Sequence, residues 1–253
     1  MAKSIAVAGK GGTGKTTIAA LLVTQLGLRG WGPVLAVDAD PDSNLGSLLG
    51  ISPRQSIGDL REEVLKAIKE LPAGMTKASY VEAGLHQIIE EAEGFDLLTM
   101  GRGEGAGCYC ALNNMIRKFS DDLTPSYKWV IMDNEAGLEH LSRRTTEDTD
   151  LLLIISDPSA RGILTAGRVN GIVDELGLRV KKRALIVNRV QGDSLPAGIK
   201  EVVEQQGLEL VGTVPSDEKI FEFDLAAKPL VELPADSKAV KALYGILDSL
   251  NIP

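Results

Sequence analysis

The chain has 253 residues, of which 44% are hydrophobic and 25% are charged, as in an ordinary globular protein. Its length suits one α/β domain, and we predict a single domain over residues 1–253. The net charge of −8 argues against a nucleic-acid-binding surface, which needs clustered Lys and Arg. No run of about 18 apolar residues occurs, so we expect no membrane span. Two cysteines and no leader-like start favour a reducing, cytoplasmic setting.

Short runs rich in β-branched residues alternate with longer helical patterns along the chain. Nearly continuous apolar runs are typical of parallel strands that are covered on both faces. The alternation predicts an α/β fold, with a mostly parallel sheet of seven to eight strands and helices on both faces. The predicted strands are 3–8, 33–38, 95–100, 128–133, 151–156, 183–188 and 208–214, and the predicted helices include 16–28, 165–176 and 196–206.

One region, residues 52–94, breaks this alternation. It contains no convincing strand, but residues 59–71 and 80–92 show two helical patterns with charged faces. We therefore predict a helical insertion after the second strand.

A glycine-rich segment after the first predicted strand matches the pattern G-x-x-x-x-G-K-[ST]. Its glycines let backbone N–H groups turn toward a phosphate, which also meets the positive end of a helix dipole. We predict an ATP site in which Lys15 bridges the β- and γ-phosphates and Thr16 holds Mg²⁺ through its hydroxyl. The predicted cradle comprises Gly9, Gly11, Gly12, Thr13, Gly14, Lys15, Thr16 and Thr17.

A further lysine, Lys10, follows the first glycine of this pattern. The segment G-K-G-G-T-G-K-T-T resembles the deviant Walker A family of ATPases, which includes nitrogenase iron protein, cell-division regulators of the MinD type, the arsenite pump ATPase and metal-insertion ATPases. The resemblance implies that Lys10 is catalytic and reaches the nucleotide of the opposite subunit in a dimer, as an arginine finger does. The alternative is a solvated lysine on a loop.

Acidic residues follow two of the predicted strands, at the edge where ligands bind in open α/β sheets. Asp38 and Asp40 come after the second strand, and Asp133 ends the run 128–133. The same resemblance implies that Asp40 orients the attacking water and that Asp38 and Asp133 lie near Mg²⁺. The segment from Asp133 to Gly137 resembles the start of a second nucleotide switch. Asp-Pro-Asp is also a common turn sequence, which is the alternative for the first acidic segment.

The base of the nucleotide is assigned by the same resemblance. Asn188 ends the predicted strand 183–188, and in the family an asparagine there hydrogen-bonds adenine. The loop that contains Pro215 and Asp217 resembles the segment that closes over the base. Asn is also a common residue at strand ends, so this position has a second interpretation.

Both cysteines, Cys108 and Cys110, lie in a glycine-rich segment that precedes a helical pattern. Two thiolates are too few for a closed tetrahedral metal site. A twofold dimer would bring four together, and four thiolates suit Zn²⁺, or Ni²⁺ in a flatter geometry. Because C-x-C alone is a weak motif, incidental cysteines are the alternative interpretation.

Taken together, the segments G-K-G-G-T-G-K-T-T, D-A-D-P-D-S-N, C-Y-C and D-N-E-A-G-L-E-H-L resemble the nickel-insertion ATPases of carbon monoxide dehydrogenase and acetyl-CoA synthase. The resemblance covers essentially the whole chain. It implies a homodimer, promoted by ATP and metal, that delivers nickel to one of these apo-enzymes. The alternatives are a positioning ATPase of the MinD or partition type and an electron-transfer ATPase like nitrogenase iron protein.

Overall fold

The computed structural model describes residues 2–67, 76–101, 123–135, 149–192 and 194–252. The strands of this part are β1 (Lys3–Gly9), β2 (Val34–Asp38), β3 (Ile89–Ala92), β4 (Phe95–Thr99), β5 (Trp129–Asp133), β6 (Thr149–Ser156), β7 (Val180–Val190) and β8 (Leu210–Pro215). They form one sheet in the order β3-β4-β2-β5-β1-β6-β7-β8. Every neighbouring pair is parallel except β3 and β4, which are antiparallel. The predicted α/β class and mostly parallel sheet are confirmed.

The α-helices of the described residues are α1 (Lys15–Leu28), α2 (Leu45–Leu48), α3 (Ile57–Ala67), α4 (Lys77–Gln87), α5 (Ala160–Glu175), α6 (Ala197–Gln205), α7 (Glu218–Leu225) and α8 (Lys238–Ser249). Two short 3₁₀ turns occupy Thr124–Ser126 and Leu230–Glu232. Side chains alternate along β1, so that Ile5 and Val7 join the hydrophobic cluster that includes α1 and α8, whereas Ala6 and Ala8 join the cluster on the opposite face. The sheet is therefore covered on both faces.

Helix α1 is buried along nearly all of its length. Every residue from Ile18 to Leu26 is at most 4% exposed, so this helix has no polar face. It packs against the sheet on one side and against α8 and the Leu230–Glu232 turn on the other. This burial fixes the position of its first turn, which carries Lys15 and Thr16.

Strand β3 corrects the prediction for residues 52–94, because that region was expected to contain no strand. Helix α4 ends at Gln87, so the helical pattern predicted for 80–92 is wrong in its last part. Gly94, with φ +86°, makes the tight turn that returns the chain into β4. Pairing with β4 stabilises β3 despite its acidic sequence.

Strand β7 begins three residues earlier than the predicted 183–188. Two lysines, Lys181 and Lys182, lie in this extension, and they and the adjacent Arg183 each have an acidic partner. Lys181 lies 2.8 Å from Asp150, Lys182 lies 3.0 Å from Glu209, and Arg183 lies 2.6 Å from Asp174. These pairs keep a charged segment in the sheet, which a search for apolar runs does not detect.

Candidate functional site

The glycine-rich segment forms a tight loop between β1 and α1. Gly9 has φ +148°, and a side chain there would overlap the carbonyl oxygen of Ile155 on β6. Gly12 and Gly14 have φ +79° and +89°, in the region that only glycine adopts freely. These three glycines are required by the path of the backbone.

The carbonyl of Lys10 closes this loop on itself. It accepts hydrogen bonds from the Thr13 hydroxyl at 2.9 Å and from the Lys15 ammonium group at 3.4 Å. The N–H groups of Gly11, Gly12 and Gly14 donate to no residue that the structure describes. A loop with free N–H groups and a 7% exposed lysine fits a bound phosphate chain. The structure thus brings the predicted cradle residues together at the start of α1.

Asp38 and Asp133 lie side by side at the carboxyl ends of β2 and β5. They are register partners on neighbouring parallel strands, and both are completely buried. The Asp38 carboxylate accepts hydrogen bonds from the N–H of Leu45 at 2.9 Å and of Asp40 at 3.2 Å. Neither carboxylate oxygen of Asp133 has a hydrogen-bond partner among the residues described here.

Burial raises the pKa of Asp133 to about 7, and the neighbouring charge of Asp38 adds to this effect. The Thr16 hydroxyl and the Lys15 charge lower the pKa of Asp133, although Thr16 does not reach strict hydrogen-bond geometry. Burial also raises the pKa of Asp38 to about 6, against the effect of its two N–H donors. A buried carboxyl with two unpaired oxygens fits a hydrated Mg²⁺, which would keep it ionised. Asp133 and Thr16 would hold the ion, with Asp38 beside them.

Asp40 lies in a turn after β2. Its carbonyl accepts a hydrogen bond from the N–H of Ser43 at 2.9 Å, and its carboxylate accepts one from the N–H of Asp42 at 3.0 Å. Ser43 has φ +51°. The segment therefore forms the turn that Asp-Pro-Asp favours, and the water-orienting role of Asp40 stays a prediction.

An open cleft of about 1220 Å³ lies beside the loop, where the base was predicted to bind. Thr17, Asn188, Pro215 and Asp217 all line it. The Asn188 amide donates to the Thr13 carbonyl at 2.9 Å, so Asn188 already contacts the phosphate loop. Its adenine contact stays a prediction.

Asp217 has a structural function within this cleft. Its carboxylate accepts hydrogen bonds from the Ser237 hydroxyl at 2.6 Å and from the N–H groups of Ala239 at 3.0 Å and Lys219 at 3.0 Å. Burial raises the pKa of this carboxyl, but these donors together hold it below its usual value. Asp217 thus joins the starts of α7 and α8.

Cys108, Cys110 and Gly137 lie outside the described residues, and their predicted roles stay predictions. Within the described ranges, no three His, Cys, Asp or Glu side chains gather as a metal site.

Two polar residues of this site were not predicted from the sequence. Arg189 donates through its guanidinium group to the Gly12 carbonyl at 3.0 Å. Asn134 is 1% exposed and donates to the Val7 carbonyl at 3.0 Å. Their sequence positions gave a signal for a role in the site. Arg189 directly follows Asn188, and Asn134 directly follows Asp133, each near the end of an apolar strand.

A phosphate loop between β1 and a buried helix, with two buried carboxyls at the neighbouring strand ends, defines a P-loop ATPase. The chain belongs to the family of the CobQ/CobB/MinD/ParA nucleotide binding domain, which matches residues 4–230. Among the described residues, no helix has both the length and the apolar character needed to cross a membrane.

Two relatives align over almost their full length. An ATP-binding protein of Methanocaldococcus jannaschii, itself uncharacterized, is 42% identical over 97% of both chains. The carbon monoxide dehydrogenase accessory protein CooC of Rhodospirillum rubrum is 31% identical over 96% of this chain and 95% of its own. These identities extend the family assignment along nearly the whole chain.

Solved structures of MinD proteins share the fold. The cell division ATPase MinD of Pyrococcus furiosus superimposes with a TM-score of 0.70 at 23% identity, over 99% of both chains. MinD in the MinC:MinD complex of Aquifex aeolicus gives 0.71 at 22% identity, over 99% of this chain and 96% of its own.

Substitution of Lys15 and Asp40 should separate nucleotide binding from hydrolysis. We expect Lys15→Ala to weaken MgATP binding at least tenfold, because a buried ammonium group of the cradle is lost. Asp40→Ala should retain MgATP binding and lose hydrolysis, because it leaves the cradle intact. Calorimetric titration with a non-hydrolysable ATP analogue, beside turnover assays, measures both effects. Equally large losses of affinity in both variants would show that Asp40 is structural.

Proposed function

We propose that this ATPase is a homodimeric metallochaperone that assists nickel insertion into carbon monoxide dehydrogenase or acetyl-CoA synthase. The observation that carries the proposal is the 31% identity to the accessory protein CooC over 95% of that protein's length. The Cys108-x-Cys110 pair, a sequence feature that a plain ATPase does not require, supports it.

The metal would be cargo held between two subunits. Each chain has only two cysteines, so a closed site of four thiolates needs both copies. Four thiolates accept Ni²⁺ or Zn²⁺. ATP would draw the subunits together, and hydrolysis would relax the dimer and release nickel to the client enzyme.

The nucleotide site supports an ATP-driven cycle for this cargo. Lys15 and Thr16 lie close enough to Asp133 to lower its pKa, and in this proposal the γ-phosphate and Mg²⁺ bind beside these three residues. Asp38 ends the neighbouring strand β2 and the turn that contains Asp40 follows it, so loss of the γ-phosphate would be sensed at the end of β2. The predicted contacts of Asn188, Pro215 and Asp217 would select the base.

Metal stoichiometry tests the shared site. Protein purified without oxygen and loaded separately with Ni²⁺ or Zn²⁺ should hold one ion per dimer. Cys108→Ser and Cys110→Ser should each abolish tight metal binding while MgATP still binds, because the phosphate loop is untouched. Elemental analysis, combined with the molecular mass in solution with and without ATP, gives the ratio.

A matched control is Tyr109→Phe, which alters the residue between the two cysteines and leaves both thiols. It should bind metal as the parent protein does. One tightly held ion per isolated monomer, or metal retained when both cysteines are replaced, would contradict the shared site.

Addition of the loaded protein to each apo-enzyme in turn then identifies the client, and activation of neither would favour a MinD-type positioning role. An absorption spectrum of an iron–sulfur cluster would favour the electron-transfer alternative.

A further inference from the structure

Two consecutive residues at the end of β7 hold two consecutive carbonyls of the phosphate loop. The Asn188 amide donates to the Thr13 carbonyl at 2.9 Å, and the Arg189 guanidinium donates to the Gly12 carbonyl at 3.0 Å. A third hydrogen bond, from the Arg189 N–H to the Asn188 side-chain oxygen at 2.9 Å, fixes the two residues relative to each other. We call this pair the β7 clasp.

We infer that the β7 clasp preshapes the phosphate loop before nucleotide binds, and that Arg189 is a positioning residue of the ATP site. The inference rests on the ATPase assignment and is independent of the nickel proposal.

The planarity of the peptide bond couples the carbonyls that the clasp holds to the N–H groups of the loop. In a trans peptide, the C=O of one residue and the N–H of the next point in opposite directions. When Asn188 holds the Thr13 carbonyl outward, the Gly14 N–H must point into the loop. When Arg189 holds the Gly12 carbonyl, the Thr13 N–H turns toward Lys10, whose carbonyl it meets at 3.4 Å. The clasp therefore sets two peptide planes of the cradle, and the free Gly14 N–H needs no reorientation when a phosphate arrives.

Backbone conformation at both ends of the contact agrees with this role. Arg189 has φ +59°, a left-handed conformation that is strained for a residue with a side chain and costs glycine little. On the loop side, a side chain at position 14 would overlap the Asn188 amide nitrogen, so only glycine permits this approach. A glycine at 189 would relieve the strain but would supply no donor to the Gly12 carbonyl.

The test uses a ligand that has phosphates and no base. Arg189→Ala should weaken the binding of both MgADP and inorganic tripolyphosphate by roughly three- to tenfold, the change expected for one hydrogen bond. In the nucleotide-free protein, amide hydrogen exchange over residues 10–16 should become faster. Arg189→Lys should recover part of the binding, because an ammonium group keeps one donor.

Two further variants separate positioning from stability and from charge. Arg189→Gly should bind tripolyphosphate as weakly as Arg189→Ala, with a melting temperature no lower than that of the parent protein, because it removes strain. Arg168→Ala, which removes an exposed arginine from α5, should leave tripolyphosphate binding unchanged.

Weaker MgADP binding with unchanged tripolyphosphate binding would place Arg189 at the base and overturn the clasp. Unchanged hydrogen exchange in the nucleotide-free Arg189→Ala protein would overturn it as well.

Discussion

A Lys10→Ala variant is expected to lower the kcat of ATP hydrolysis by roughly 10²- to 10³-fold, the cost of one charge contact made only in the transition state. Nucleotide affinity should stay nearly intact, because the loop uses the Lys10 carbonyl while the side chain is exposed. If this lysine acts on the partner's nucleotide, the variant should also lose ATP-induced dimerisation. Turnover assays and the molecular mass in solution with ATP measure these effects.

Mixing variants tests whether Lys10 acts across the dimer. In a heterodimer of Lys10→Ala with Asp40→Ala, one site keeps its own Asp40 and receives Lys10 from the partner, so activity should partly return. The control mixes Lys15→Ala with Asp40→Ala. One site of that dimer lacks its cradle lysine and the other lacks Asp40, so it should stay inactive. A Lys10→Ala mixture as inactive as its components, despite confirmed heterodimers, would rule out the trans-acting lysine.

The nucleotide-free protein is expected to lose stability as the pH rises from 5 to 8. Asp38 and Asp133 have pKa values of about 6 and about 7 in the fold, both above the 3.8 of an unperturbed Asp. When folding raises the pKa of a carboxyl, its contribution to stability is fully present at pH values below the pKa of the unfolded chain. This contribution is lost as the pH rises through the pKa of the folded protein. From pH 5 upward, the loss covers about one pKa unit for Asp38 and about two for Asp133, so at about 1.4 kcal/mol per unit the combined loss is of the order of 4 kcal/mol.

The free energy of unfolding, from urea titrations in EDTA between pH 5 and pH 8, measures this loss. Asp133→Asn should flatten the dependence, because the amide does not ionise. Asp150→Asn is the control. The pKa of Asp150 is lowered in the fold, so this carboxyl changes the stability only at more acidic pH than the range measured. A pH dependence that persists unchanged in Asp133→Asn would contradict the assignment. The stabilisation that MgADP adds should increase with pH, because Mg²⁺ binds the ionised form of the carboxyl.

Most of the sheet could be predicted because its strands are buried on both faces and are therefore apolar along their length. Residues 129–133 and 151–156 are examples, and both are strands in the structure. Strand β3 lacks this signal, since Ile89–Ala92 contains two glutamates and is held by pairing with β4. Pairing between strands is a tertiary interaction, which local sequence does not encode.

The phosphate loop could be predicted because its function requires fixed residue types at fixed spacing. The carboxyls of Asp38 and Asp133 could be placed because parallel strands end at a common edge. The contact of Asn188 with the Thr13 carbonyl bridges 175 positions of sequence and follows only from the strand order. Arg189 was missed for the same reason, since no spacing rule links it to Gly12.

Strand β3 also bears on how two copies can associate, because among the described strands it lies at one edge of the sheet. Unpaired edges attract other strands, but β3 is only four residues long and carries Glu90 and Glu91. Antiparallel pairing of two β3 strands would place these carboxylates against each other, and the described counter-charge at this edge is the exposed Arg54, 4.0 Å from Glu90. Arg54 also occupies part of this edge, donating its N–H to the Glu90 carboxylate at 3.0 Å. This short, acidic strand thus disfavours continuation of the sheet into a second molecule, and we expect a dimer to use another surface.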